Sequence, residues 1–519
     1  MTQRKAGVLL NYVLTFVHIL SGIIYVPLLL SFLSGSDYGV YKLIGGLIGL
    51  IGIMDFGLSG TVIRYYSGAK EKNDEKSAQN ILALCLIIFS VITLILIAIG
   101  IATYFLIPAI FSKSLSAEEI GLAKNLFIIL FVNLALTIPT KIFTASIYAN
   151  EKFVFVKLLQ VFQGVLTPVC VLLFLTVKSS AIIVALVQTA SNFIAILLTI
   201  IYAFAKCKVR IKLHYFDRKL VREIFIFSSF IFLAMVVDQL YWRCDSIIIG
   251  AFIGSVAVTI YSISSSLTDY FKQFSVSIGS VFMPQLSRIQ ARGGQISEMD
   301  KIFRKTGRIQ NVVMFLLFSG FAIFGVEFIS VWTRASIYKF TPDNIRLIYF
   351  ITLAVFVPLY IPSVQSTGVS VLQALNRHKF RSVVYFIIAI LNFAFSIILV
   401  MCLGIWGCVI ATSASLVIGQ CIIMNIYYAK IGLNIKKFFT EIIKMIIPLF
   451  FFAVLCYFIN RQILTSSIWI LGIKIFVYTI IFAIITYFAS FNAYEKGLIK
   501  GLFRKSGPKR TNEKCNSNI

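Results

Sequence analysis

The sequence predicts an all-α integral membrane protein with about fourteen transmembrane helices. Three observations support this fold class: 59% of the 519 residues are hydrophobic, only 13% are charged, and apolar runs of helix length recur along the chain. Soluble domains carry about 25% charged residues, so this chain cannot cover a water-facing surface in the usual way. The runs are long enough to cross about 30 Å of hydrocarbon and lack the alternation of barrel strands, which favours helices over a barrel.

A helix-length window places the spans in order along the chain. They cover residues 8–33, 38–63, 79–107, 122–147, 157–177, 181–205, 223–251, 256–282, 310–333, 347–373, 383–402, 404–429, 441–460 and 467–491. The first apolar stretch runs to Leu33 without a small-residue cleavage site, so we expect a retained span rather than a signal peptide. No connection exceeds about thirty residues, which leaves no room for a soluble domain.

The positive charges predict the orientation. The formal net charge is +27, and Lys and Arg residues concentrate in every second connection. With the N-terminus inside, 35 of the 47 lie in inside segments, eight in outside loops and four within spans or at their edges. Positive residues favour the cytoplasmic side, so both termini are predicted to be cytoplasmic. We therefore attribute the net positive charge to membrane orientation and to contact with membrane lipids, and we expect no nucleic-acid partner.

Two pairs of segments indicate an internal repeat. SIYANEKF at 146–153 resembles VLQALNRHKF at 371–380, and LSGSDYGVY at 33–41 resembles FIGSVAVTIY at 252–261. The two pairs are offset by nearly the same number of residues, which predicts two six-helix bundles in a pseudo-two-fold repeat. Duplicated halves around a central cavity are a common transporter architecture. The predicted units are an N-terminal lobe at 1–222, a C-terminal lobe at 223–430, two extra helices at 431–492 and a basic cytoplasmic tail at 493–519. Its last stretch, KGLFRKSGPKRTNEKCNSNI at 500–519, is expected to be solvated or disordered.

The layout resembles the polysaccharide-transport branch of the MATE-like superfamily of multidrug, oligosaccharidyl-lipid and polysaccharide exporters, which includes the O-antigen flippases. The resemblance is carried by MDFGLSGTVIRYYS closing span 2, YANEKF after span 4, and RCDSIIIGAFIGSVAVTIYS across spans 7 and 8. It implies two bundles that rock around a cavity and move a polyprenyl-diphosphate-linked sugar chain outward. Drug exporters of the superfamily share the fold and typically have twelve spans.

Polar stripes within the spans indicate a water-filled cavity. A charge facing lipid at mid-bilayer costs at least about 2.5 kcal/mol, so polar faces are expected to point inward. Three spans carry such faces at helical spacing. Their members include His18 in span 1, Asp238, Gln239, Trp242, Arg243 and Asp245 in span 7, and Asp269, Lys272 and Gln273 in span 8.

Four cations are candidates for binding a diphosphate headgroup. Arg and Lys bind phosphate by charge-assisted hydrogen bonds in a low-dielectric cleft. The candidates are Lys42, Arg243, Lys272 and Arg64. Arg64 has a second interpretation, since it stands where span 2 meets the inner interface.

The acids and the histidine of the stripes are candidates for lining the cavity or for coupling transport to H⁺ or Na⁺. They are His18, Asp238, Asp245 and Asp269, with Gln239 and Gln273 as neutral lining residues. His18 fits a hydrogen-bonded helix contact as well as a proton-handling group. No other cofactor is expected, and nine cysteines without a CxxC pair predict no metal site.

Two simpler explanations of the charges remain open. Arg243 and Asp245 could lie at the outer membrane interface. Asp269 and Lys272 are three residues apart and could form a salt bridge within their helix.

Three functions are compatible with this pattern. The first is a flippase of lipid-linked oligosaccharide in the bacterial cytoplasmic (inner) membrane, acting by alternating access and not as an enzyme, with a polysaccharide polymerase or export machinery as a further candidate partner. The second is a cation-coupled multidrug exporter, whose cavity should be acidic or aromatic rather than basic. The third is a membrane glycosyltransferase or polymerase, which usually needs a sizeable outer loop to place an acid or base.

Overall fold

The computed structural model describes residues 3–463, 467–493 and 495–497, and within them every regular element is a helix. Thirteen of the helices are long and apolar enough to cross a membrane, so the chain is a multi-pass membrane protein. Large apolar side chains remain exposed along the outer faces of many helices. Such a surface suits lipid, because apolar side chains need no water and the helices satisfy their own backbone polar groups, as hydrocarbon requires.

The helices form two successive sets and a final pair. The first set is α1 (Gln3–Leu30), α2 (Gly35–Ile51), α3 (Leu58–Glu71), α4 (Glu75–Phe111), α5 (Ala117–Ala149), α6 (Phe153–Val177) and α7 (Ala181–Ala205). The second set is α8 (Arg218–Trp242), α9 (Cys244–Phe252), α10 (Ser255–Gly279), α11 (Met283–Ala291), α12 (Ile296–Trp332), α13 (Pro342–Val364), α14 (Ser366–Ala374), α15 (His378–Leu403), α16 (Ile405–Leu416) and α17 (Met424–Lys430). The pair is α18 (Ile435–Gln462) and α19 (Ile468–Ile485).

Each of the fourteen predicted spans falls on a helix or on two consecutive helices, but the eighth differs from the rest. It corresponds to α10, which has 25 residues and is long enough to cross the hydrocarbon at 1.5 Å per residue. It is nevertheless absent from the thirteen apolar spans, because its sequence is rich in serine and carries Asp269 and Lys272. More than half of its residues are buried against other helices, so protein rather than lipid surrounds it.

A 3₁₀ turn interrupts the second span of the first half, and another ends the second span of the second half. In the first half a 3₁₀ turn, Gly52–Asp55, separates α2 from α3, and Phe56 and Gly57 follow with φ of 53° and 63°. Asp55 stabilises this break, because its Oδ1 accepts a hydrogen bond from the Gly57 N–H at 2.8 Å and its Oδ2 forms an ion pair with Lys141 of α5. In the second half a 3₁₀ turn, Ser280–Phe282, separates α10 from α11. This turn lies at the end of predicted span 8, whereas Gly52–Asp55 lies within predicted span 2, so the repeat stays a prediction.

The predicted lobe boundaries fall close to helix limits. Residue 222 lies just inside α8, and residue 430 is the last residue of α17. The segment between α7 and α8 lies against the start of α4, where the Asn80 side chain accepts hydrogen bonds from the backbone N–H groups of His214 and Tyr215 at 2.9 and 3.1 Å. The division into two lobes stays a prediction.

We call the end of the bundle that holds residues 64–76, 141–157 and 206–222 the basic end. The two halves are joined at the opposite end by hydrogen bonds. Thr259 of α10 donates to the Gly35 carbonyl at 2.5 Å, and Trp332 of α12 donates through Nε1 to the Ile23 carbonyl at 2.6 Å. The opposite end is therefore closed in this conformation.

Close packing of α2 on α10 at this closed end leads to a first prediction. A Cβ added to Gly39 would overlap the Ser255 carbonyl oxygen, so Gly39→Ala should destabilise the closed packing by about 1–3 kcal/mol. We expect a lower unfolding midpoint for the detergent-solubilised protein. Gly45→Ala is the matched control on the same helix, because nothing lies within 4 Å of its Cβ position. Equal midpoints for the two variants would contradict the packing described.

Helix α18 and the segment after α19 are joined to α12 by charged side chains. Arg304 contacts Glu441 of α18 at 2.5 Å, and Arg308 contacts the Glu495 carboxylate at 2.6 and 2.8 Å. Glu495, near the start of the predicted basic tail, is only 5% exposed. An acidic residue that can pair with an arginine is held against the bundle. Residues 498–519, the remainder of that predicted tail, lie outside the described residues.

Candidate substrate-binding site

Three of the predicted phosphate-binding cations lie around one carboxylate, between the two halves. Lys272 Nζ lies 2.9 Å from Asp269 Oδ1, and Arg243 Nη2 lies 3.9 Å from Asp269 Oδ2. Lys42 of α2 interacts electrostatically with both Arg243 and Asp269. We call Lys42, Arg243, Asp269 and Lys272 the basic cluster. Its members come from both halves, because α2 packs against α9 and α10.

Local structure explains why these side chains converge. Arg243 is the residue between α8 and α9, with φ of −120° and ψ of −25°, so the kink there directs it away from a regular helical path. Its side chain is 53% exposed and can reach a ligand. Lys272 lies over the ring of Trp242, with Nζ 3.4 Å from the ring centroid. This cation–π contact holds Lys272 in place beside Asp269.

The charge of the basic cluster favours an anion. Three cations surround a single carboxylate, so the formal charge is +2 when all four groups are ionised. Placed among apolar helices, such an excess attracts phosphate more strongly than it would in bulk water. The predicted salt bridge between Asp269 and Lys272 is present, and the pair belongs to the same cluster as the other cations.

Asp245 lies apart from this cluster, although it is only two residues after Arg243. Its carboxylate is 2% exposed and accepts hydrogen bonds from Tyr261 at 2.6 Å, Thr412 at 2.9 Å and Ser396 at 3.3 Å. These donors belong to α10, α16 and α15. Asp245 is therefore inside the second half, and the interpretation that places it at a membrane interface does not fit its burial.

The other predicted residues of spans 7 and 8 are distributed along the same helices. Asp238 is exposed on α8 and interacts electrostatically with Arg381 of α15. Gln239 faces α2, near Gly49, and its Oε1 is buried without a hydrogen-bond partner among the described residues. Gln273 follows Lys272 on α10 and is half-buried. Their placement is compatible with lining a cavity next to the basic cluster.

The contacts described for His18 and Arg64 are not with the basic cluster. The His18 ring lies beside Gly164 of α6, where a Cβ would be 3.1 Å from His18 Cδ2, which fits the interpretation as a helix-contact histidine. Arg64 is exposed on α3, beyond the break in span 2, and its guanidinium lies 5.8 Å from the ring of Tyr65. The roles of both residues in substrate binding or coupling stay predictions.

An apolar groove on the other side of α10 was not predicted from the sequence. It has a volume of about 290 Å³ and lies between α10, α12 and α19. Its lining includes Leu267, Tyr270, Phe271, Phe274, Phe321 and Tyr478. Four of these residues belong to α10, on the helix face opposite Asp269 and Lys272, so the groove and the basic cluster lie on different sides of one helix. Aromatic residues that line a groove and those that face lipid look alike in sequence, which is why the groove gave no signal.

Comparison with known proteins gives one family match. The family model described as "Polysaccharide biosynthesis protein" matches residues 5–290, which is more than half of the chain. A protein of Shigella flexneri named "Putative O-antigen transporter" is 21% identical over 412 residues, which cover 76% of this chain and 90% of that protein. A Haloferax volcanii protein named "Probable low-salt glycan biosynthesis flippase Agl15" is 22% identical over 269 residues, which cover 52% of this chain and 54% of that protein.

Two solved structures share the fold. One, titled as the lipid II flippase MurJ in an inward closed conformation, superposes with a TM-score of 0.74 at 18% identity and covers 95% of this chain and 100% of that one. The other is titled as the inward-facing conformation of a multidrug resistance MATE family transporter of the MOP superfamily. It has a TM-score of 0.65 at 14% identity, and the match covers 80% of this chain and 96% of that one.

Proposed function

This chain belongs to the family of polysaccharide biosynthesis proteins, and from that premise we propose that it is a flippase for polyprenyl-diphosphate-linked oligosaccharide in the bacterial inner membrane. The proposed cargo is the repeat unit of an O-antigen, capsule or exopolysaccharide. The protein moves the intact lipid between leaflets by alternating access and makes or breaks no covalent bond. The names of the two relatives, a transporter and a flippase, support this assignment.

The basic cluster is the observation that carries the proposal. Lys42, Arg243 and Lys272 place three cations around Asp269, and a diphosphate supplies the matching negative charge. In the empty protein Asp269 holds Arg243 and Lys272 near each other. When the headgroup binds, the phosphate oxygens compete with Asp269 for the same donors, so binding is strong enough for capture and release remains possible.

The polyprenyl chain stays in the bilayer during transport. The apolar groove lies on the face of α10 opposite Asp269 and Lys272, so we do not assign it to the headgroup site.

We assign the basic end to the cytoplasm, following the distribution of Lys and Arg. In this conformation the bonds of Thr259 and Trp332 close the opposite, outer end. Outward opening must break these contacts and the packing of α2 on α10 at Gly39, so the two halves need to separate at the outer end. A polysaccharide polymerase or export machinery would then receive the lipid on the outer side.

We further propose that Asp245 couples transport to H⁺ or Na⁺. A buried carboxylate held by three hydroxyl groups is a functional candidate, since ionisable groups inside membrane helices are costly unless they serve a purpose. We expect Asp245→Asn, which keeps the shape of the side chain, to make the rate of lipid movement indifferent to imposed pH and sodium gradients. A wild-type rate that ignores both gradients and the membrane potential would remove the coupling proposal.

The experiment that tests the flippase proposal uses vesicles containing the purified protein and a fluorescent polyprenyl-diphosphate sugar. We expect the lipid to move between leaflets only in vesicles that contain the protein, as measured by its accessibility to a membrane-impermeant quencher. Absence of movement, together with export of small organic cations, would instead favour a multidrug exporter of the same fold.

A further inference from the structure

A second cavity lies inside the first half, on the basic-end side of the break in span 2. It has a volume of about 310 Å³ and is bounded by α3, α5, α6 and α7. Nine of its thirteen lining side chains are polar, which is unusual for the interior of an apolar helix bundle. We call it the polar recess. Its threonines and amides are Thr137, Thr140, Thr144, Gln160, Gln163 and Asn192.

The polar recess carries no net charge. Lys141 is its one charged lining residue, and Lys141 forms an ion pair with Asp55 at the break in span 2. An anion would have to compete with Asp55 for this single cation, and a cation would be repelled by it. The recess is therefore suited to a neutral, hydrogen-bonding ligand.

Hydrogen-bond acceptors remain available in the recess. Asn192 donates through Nδ2 to Asn133 Oδ1 at 2.6 Å and to Thr137 Oγ1 at 2.7 Å, so its Oδ1 is the group left to accept. Thr140 donates to the Thr137 carbonyl at 2.9 Å and keeps its oxygen lone pairs. Gln160 Oε1 is buried and has no partner among the described residues. A buried acceptor without a partner costs about 1–3 kcal/mol, which a ligand hydroxyl would recover.

The remaining walls of the recess are apolar. Val156, Leu159, Ala195 and Ile196 stand beside the amides and threonines. A sugar ring has this same division, because its hydroxyl groups lie around the edge and its C–H groups form apolar faces. Pockets that combine an apolar wall with a few placed polar groups bind ligands specifically.

We propose that the polar recess binds uncharged sugar residues of the transported glycan, while the basic cluster holds the diphosphate. This inference rests on the proposed flippase function and adds a second subsite to it. Ser59 of the recess and Lys42 of the cluster belong to the two segments of the broken span 2. The break therefore separates a neutral sugar subsite from a charged headgroup subsite.

The test compares two lipids that differ only in the glycan: polyprenyl diphosphate carrying a neutral trisaccharide, and polyprenyl diphosphate without sugar. Binding to the full-length protein in detergent is measured from the ligand-dependent rise of the unfolding midpoint. We expect the wild type to bind the glycan-bearing lipid more tightly, and Gln160→Leu to lower that affinity about tenfold without changing the affinity for the bare lipid. Gln160→Leu removes an unpartnered buried carbonyl, so the empty variant should be at least as stable as the wild type.

Two further variants complete the design. Thr140→Val lies in the recess and should act like Gln160→Leu. Thr176→Val is the matched control, because Thr176 also donates to a carbonyl of its own helix, at 2.7 Å, but is exposed outside the recess. Equal wild-type affinity for the two lipids, or an equal loss of both in Gln160→Leu, would overturn the sugar subsite and leave the flippase proposal standing. If neither lipid binds or moves, the proposed function fails, and the subsite fails with it.

Discussion

Arg243→Ala and Lys272→Ala should each slow the movement of a polyprenyl-diphosphate sugar by about tenfold or more, and the double variant should reduce it to background. A hydrogen bond to a charged group contributes about 1.5–3 kcal/mol, and 1.4 kcal/mol corresponds to a factor of ten. The effect of Lys272→Ala should be the larger, because Asp269 would keep only the 3.9 Å contact with Arg243 and would face the incoming phosphate. Initial rates in the vesicle assay measure both effects.

The control for this series is Lys178→Ala. Lys178 is exposed at the end of α6, so the substitution removes the same charge without touching the basic cluster. Unfolding midpoints of all variants separate loss of binding from loss of fold. Variants of Arg243 and Lys272 that fold normally and move the lipid at the wild-type rate would eliminate the basic cluster as the headgroup site.

The basic cluster shows which features of the site could be predicted from the sequence. Trp242 and Arg243 are neighbours in sequence, and helical spacing places Asp269 near Lys272 within α10. The contact between Arg243 and Asp269, and that between Lys272 and Trp242, join different helices. Their existence depends on the packing of α8 and α9 against α10. The sequence therefore predicted the types of residue in the site, and the structure supplied their pairing.

Asp245 illustrates the limit of the same reasoning. On a helical wheel it shares a stripe with Asp238 and Trp242, but the chain is interrupted at Arg243, between α8 and α9. The interruption turns Asp245 toward Thr412 and Ser396 of the second half. A periodicity argument assumes an unbroken helix, and no residue near 243 is a proline or glycine that would have signalled the change.

The order and type of the spans were predictable because lipid imposes a length and an apolar composition on every helix it surrounds. Span 8 departs from that rule. Its serines and charges are tolerated because neighbouring helices bury α10, and its polarity was the sequence signal that it faces protein and cavity. The burial of Glu495 could not be predicted from the sequence, since its ion pair with Arg308 joins residues 187 apart.

Lys474→Met should be among the most destabilising single substitutions in the protein, costing about 3–5 kcal/mol. Lys474 of α19 donates to both carboxylate oxygens of Glu327, at 3.2 and 3.0 Å, and to Asn460 Oδ1 at 3.0 Å. Glu327 is 4% exposed, so removal of Lys474 leaves a buried carboxylate without its cation. Few side chains of α18 and α19 are buried, and this ion pair is a main link between them and α12.

A double variant makes this last prediction specific. Glu327→Gln/Lys474→Met removes both charges and keeps an oxygen that accepts from Asn460 Nδ2, which donates to Glu327 at 2.8 Å. It should recover most of the stability lost in Lys474→Met, because the penalty arises from the unpaired charge rather than from the absence of the pair. Thermal unfolding in detergent measures the midpoints, with Lys444→Met, an exposed lysine of α18, as the matched control. A double variant no more stable than Lys474→Met would mean that the pair itself, and not the avoidance of a buried charge, holds α19 to the second half.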